Sequence, residues 1–92
     1  MNRSVAYSML TVELDKYRKL AHAELVALVN DETSWTRRGS DGLDYTITVW
    51  VRWHDPDADD IAVSGAVAPA DWASPHDRLD ESFVVSRGPS MA

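Results

Sequence analysis

The hydrophobic period of this chain changes once, at Thr33, and that change constrains the fold more than any other feature. Before it, apolar residues recur at Leu10, Leu14, Tyr17, Ala21, Leu25 and Leu28. Those steps of four and three keep to one face of an α-helix. Asp15, Lys16, Lys19 and His22 fall on the opposite side, and the segment is rich in good helix formers. Thr11 or Ser8 stands where a helix cap belongs, and the run from Val29 to Thr33 ends the pattern in cap and turn residues. A helix is therefore expected over 11–30. Residues 1–9 are read as an N-terminal arm, in which Val5, Tyr7 and Met9 alternate without fixing a strand, a helical turn or a loose end.

Beyond Thr33 the period is two. Residues 33–38 are a short β-prone run, and Gly39–Gly42 (GSDG) reads as a hairpin turn. Leu43–His54 is the longest strand, DPDADD (55–60) turns the chain, and 61–67 brings it back. Residues 68–81 contain two prolines and read as a long loop, 82–87 as the last strand and 88–92 as a tail. Short connections make neighbouring strands antiparallel. The helix must bury its stripe, and the sheet is the only surface available to it. The expected fold is α+β: a single domain, 1–92, with one N-terminal helix packed on a four-stranded antiparallel β-meander spanning 33–87. This order resembles the cystatin/monellin layout, and less closely small secretion-chaperone and immunity-protein folds. The QxVxG-type hairpin of cystatins is absent, so the resemblance carries over no inhibitory residues.

Side chains alternate between the two faces of a strand. Tyr45, Ile47, Val49, Val51 and Trp53 share one face with Ile61, Val63, Gly65, Val67, Trp35, Phe83 and Val85. This is the expected helix-facing core, Trp53 included. The other face carries Thr46, Thr48, Trp50, Arg52, His54, Ser64, Ala66 and Val84 and is polar, small and open. The matching register sets Trp53 opposite Ile61, Trp50 opposite Ser64, Arg52 opposite Ala62 and Arg38 opposite Asp44. Trp50 is the odd residue there, a large aromatic among small polar neighbours. Two coverings are open to it: Arg52 stacked above it, or the 68–81 loop folded down with Trp72. The alternative is an anchor for another protein chain or a second copy, because Trp and Arg are frequent interface hot spots. The candidate partner-binding residues are Thr46, Thr48, Trp50, Arg52, His54 and Trp72.

Charge narrows the partner class. The net charge is −6, with residues 1–40 at +1 and residues 41–92 at −7. A phosphate backbone repels such a surface, so no nucleic-acid partner is expected, whereas a protein with a basic face is compatible. No apolar run approaches the roughly 18 residues of a membrane span. The apolar stretch after Arg3 is broken by Ser8 and Thr11, so neither a secretory leader nor a membrane partner is expected. With no cysteine there is no disulfide, thiol nucleophile or thiolate metal site, which suits a cytoplasmic protein.

Catalytic and metal patterns lack their parts. Counting Asp55 as position 1 of a calcium loop puts Asp57 and Asp59 at 3 and 5. It also puts Asp60 where glycine is needed and Ala66 where a bidentate glutamate is needed. His22, His54 and His76 show no metal-ligand spacing, and the glycine-rich phosphate and nucleophile-elbow motifs are missing. No catalytic residue, metal or cofactor is expected. The sequence favours a non-enzymatic protein-binding or assembly module that uses the Trp50 face. The alternative is a small-molecule binder or enzyme with a site between the 68–81 loop and the sheet.

Overall fold

The computed structural model describes residues 2–70 and 78–86. Helix α1 spans Arg3–Arg18 and α2 spans His22–Leu28. Strands β1 (Glu32–Arg38), β2 (Asp44–Asp55), β3 (Asp60–Pro69) and β4 (Leu79–Val85) follow. They form one antiparallel sheet in the order β1-β2-β3-β4. The α+β layout and the meander are those the period change implies. Trp72, His76 and the 88–92 tail lie outside the described residues.

The helical region differs from the expectation in two ways. Residues 3–9 are helix, not an arm, because the cap is Asn2 rather than Thr11 or Ser8. The Asn2 side-chain Oδ1 accepts from the Val5 N–H at 3.1 Å. Ala6 then extends the buried stripe one turn upstream of Leu10 and Leu14. The expected single helix 11–30 is also broken at Lys19–Ala21, where Lys19 caps α1 and Ala21 is extended. No Pro or Gly sits at the break. A straight 20-residue helix runs roughly 30 Å; the bend instead brings Leu20, Leu25 and Leu28 back onto the core. The His22 Nε2 lies 2.7 Å from the Asp59 carbonyl oxygen, which fastens the start of α2 to the β2–β3 turn.

The sheet follows the alternation closely. Tyr45, Ile47, Val49, Val51, Ile61, Val63 and Val67 are buried on the helix side together with Leu10, Leu14 and Leu25. Trp53 is opposite Ile61, Trp50 opposite Ser64, Arg52 opposite Ala62 and Arg38 opposite Asp44, as the register requires. Gly65 lies directly beneath α1. A Cβ there would stand 2.8 Å from Leu10 Cδ1 and 3.0 Å from Leu14 Cδ2. The bare backbone is what lets α1 settle on β3.

Trp53 corrects the expected core. It is on the helix-side face but 37% exposed. The β1–β2 ladder ends at Glu32↔Trp50, so β2 beyond Val51 has no strand on its β1 side. Arg52, Trp53, His54 and Asp55 form an exposed overhang leading into the 3-10 turn Pro56–Ala58.

Two polar devices fix the helix layer. Glu13 is 3% exposed, and its carboxylate accepts from Arg37 Nη1 at 2.7 Å and Lys16 Nζ at 3.0 Å. These bonds satisfy a charge that burial would otherwise penalise heavily. The Tyr45 hydroxyl accepts from the Asn2 N–H at 3.3 Å and donates to Asp41 Oδ2 at 2.5 Å. That hydrogen bond holds the Asp41 carboxyl below its usual 3.8. Burial, then the bond to Asp41, pushes the Tyr45 phenol above its usual 10.0.

The pH dependence follows from those directions. Asp41 contributes stability above its usual pKa, and loses it as pH falls through its depressed folded value. Tyr45 contributes fully below its usual value, and loses its share as pH rises through the raised one. Denaturant unfolding across pH should therefore show wild type losing stability at both extremes. Tyr45→Phe should be less stable at neutral pH, with a shallower acid limb and a smaller alkaline loss. A pH profile parallel to wild type would refute the coupling.

Candidate functional site

The face of the sheet turned away from the helices is built by the even-numbered residues of the four strands. Along β2 these include Thr46, Thr48 and Trp50, each half-buried, and the exposed Arg52 and His54. The β3 partners of the first three are Ala68, Ala66 and Ser64. Small residues on β3 leave the Trp50 indole standing above its surroundings. A shallow depression of about 340 Å³ lies beside it, lined by Thr46, Thr48, Trp50, Ala66 and Ala68, with Glu32 and Arg78 at its margins. A second, of about 440 Å³, lies on the β4 side, between Trp50, Ser64, Arg78, Asp80, Glu81 and Ser82. Trp50 and Arg78 line both.

Among the expected site residues, Thr46, Thr48 and Trp50 come together. Arg52 and His54 do not line either depression; they project on the exposed overhang of β2. Trp72 lies outside the described residues. Arg78 lies over Trp50, its Cζ 6.0 Å from the ring centroid, at the outer reach of a cation–π contact. Arg78 also pairs with Asp80 at 2.8 Å, which holds the guanidinium between indole and carboxylate. Sequence reasoning gave this place to Arg52 or to the 68–81 loop. Arg78 belongs to that segment, and its even number matches the face parity of β4.

The electrostatics are mixed, with an acidic bias. Glu32 flanks one depression, and Asp80 and Glu81 the other. Both depressions are wide and shallow rather than enclosed, and their floors are Thr, Ser and Ala. Among the described residues, no three His, Cys, Asp or Glu side chains are grouped so as to hold a metal ion. No helix of the described residues is long and apolar enough to cross a membrane.

Comparison with protein-family models, with curated proteins and with solved structures finds no match for this chain.

Proposed function

We propose that this chain is a non-enzymatic protein-binding or assembly module of the cytoplasm, and that its contact surface is the open sheet face centred on Trp50. One observation carries the reading: a half-buried tryptophan stands between two shallow depressions floored by small residues. An indole so placed buries a large area against a partner with few rotors to immobilise. Wide, shallow relief fits the flat surface of another protein, whereas a small-molecule site encloses most of its ligand. The acidic margins of Glu32 and Asp80 favour a partner with basic side chains around an apolar centre. Lack of cysteine fits a reducing compartment.

The test is affinity capture from the native host with wild type, Trp50→Glu and Trp53→Ser. Trp53 is the control, an exposed tryptophan on the other face. A protein retained by wild type and by Trp53→Ser but lost with Trp50→Glu supports the proposal. Identical captures by all three, or a small molecule co-purifying in place of a protein, would overturn it.

A further inference from the structure

The sheet has two outer edges, and β1 is the less covered. Every β1 residue except Trp35 is exposed, and α1 packs mainly over β3, β4 and β2, reaching β1 through the Glu13–Arg37 ion pair. At the other edge, α1 reaches β4 through Arg18 above Phe83 and the Tyr7 hydroxyl near Glu81. An uncovered edge strand is a template for another strand.

The backbone of β1 has a definite sense. Gly39 N–H donates to the Leu43 carbonyl at 2.7 Å, and Val51 N–H to the Asp31 carbonyl at 3.2 Å. Both contacts lie on the β1–β2 register. Hydrogen-bonded pairs alternate along an antiparallel ladder, so the odd residues 33, 35 and 37 turn their N–H and C=O groups toward β2. Glu32, Ser34, Thr36 and Arg38 turn theirs outward. We propose that this outer edge pairs antiparallel with the same edge of a second copy, about a two-fold axis at Trp35.

That register uses every outward group. Glu32 stands opposite the second copy's Arg38, Ser34 opposite its Thr36, and Trp35 opposite its own counterpart. Charged residues on an edge usually blunt it. Here the single acid and the outward base sit at equal distances from the axis, so the two-fold operation turns both into partners, twice over. Side chains of like parity meet on one face. Glu32 would thus approach an Arg38 that is already bonded to Asp44 at 3.1 Å, giving an alternating acid–base–acid row. Both helix layers fall on one side of an eight-stranded sheet, and both Trp50 faces remain on the other. The pairing leaves the Trp50 face uncovered and shares with the Trp50 reading only Glu32, at the margin of that face.

Light scattering across a concentration series into the high-micromolar range is the test, with circular dichroism as the check on folding. Wild type should reach twice the 10.3 kDa chain mass. Ser34→Pro removes an outward N–H and none that faces β2, so it should be folded and monomeric. Glu32→Arg sets like charges opposite each other at two places and should weaken association about tenfold or more. Should Ser34→Pro not fold, Glu32→Arg decides alone. A monomeric wild type would overturn the proposal. So would a dimer indifferent to both variants, or one surviving Ser34→Pro but lost in Trp50→Glu. Mass that grows beyond the dimer would also overturn it, since that marks open-ended pairing of β1 with β4.

Discussion

Gly65→Val should destabilise the fold by about 2 kcal/mol or more, the range seen when bulk is forced into a packed core. The Cβ alone would come within 2.8 Å of Leu10 Cδ1 and 3.0 Å of Leu14 Cδ2, and the two further methyls have no open space beneath α1. Both leucines are buried in the core, so for valine their side-chain ends cannot clear enough room and α1 must shift on β3. Gly65→Ala is the milder case, because the first atoms met are the ends of flexible side chains. The expected order in denaturant midpoint is wild type, then Gly65→Ala, then Gly65→Val, with Gly65→Val far below the others. An unchanged midpoint for Gly65→Val would mean that α1 does not lie on this strand.

Leu10→Ala should cost about 3 kcal/mol, within the span measured for buried leucines. Leu10 is fully buried, one helical turn from Ala6 and from Leu14. For a domain of this size that loss lowers the melting temperature by roughly 4–8 °C per kcal/mol. The space it vacates is the space a Cβ at Gly65 would enter. Gly65→Ala in the Leu10→Ala background should therefore be neutral or stabilising, with a coupling of about 1 kcal/mol between the sites. Strict additivity would show that residues 10 and 65 do not touch.

Much of the sheet was legible from residue order because two simple rules act together. Alternation assigns faces, and short turns leave few registers that keep a whole strand's apolar set inward. Arg38 opposite Asp44 and Trp50 opposite Ser64 follow from those rules alone. What local pattern cannot supply is the neighbour. Trp53 has the parity of a core residue, yet β1 ends before reaching it. The break at Lys19–Ala21 has no Pro or Gly to announce it; beyond it Leu25 joins the core and Leu28 packs against it. Residues 3–9 needed Asn2 recognised as a cap.

Glu13 and Arg37 were readable and were missed. Glu13 is three residues after Leu10 and four before Tyr17, squarely within the apolar stripe. Arg37 has the odd parity of the helix-facing side. A carboxylate on a buried stripe calls for a cation of matching parity, and β1 offers one. In the candidate site, the Thr46, Thr48 and Trp50 constellation came from parity. Arg52 and His54 were included by the same rule; they lie on the overhang and line neither depression.

The claim that Trp50 is the contact point is tested most directly by labelling the four tryptophans, Trp35, Trp50, Trp53 and Trp72, with 5-fluorotryptophan. The 19F signals, assigned by single Trp→Phe variants, are then followed as the captured protein partner is added. The Trp50 signal should shift or broaden first and most, while that of Trp53 stays in place. A partner that binds with the Trp50 signal unmoved would contradict the account.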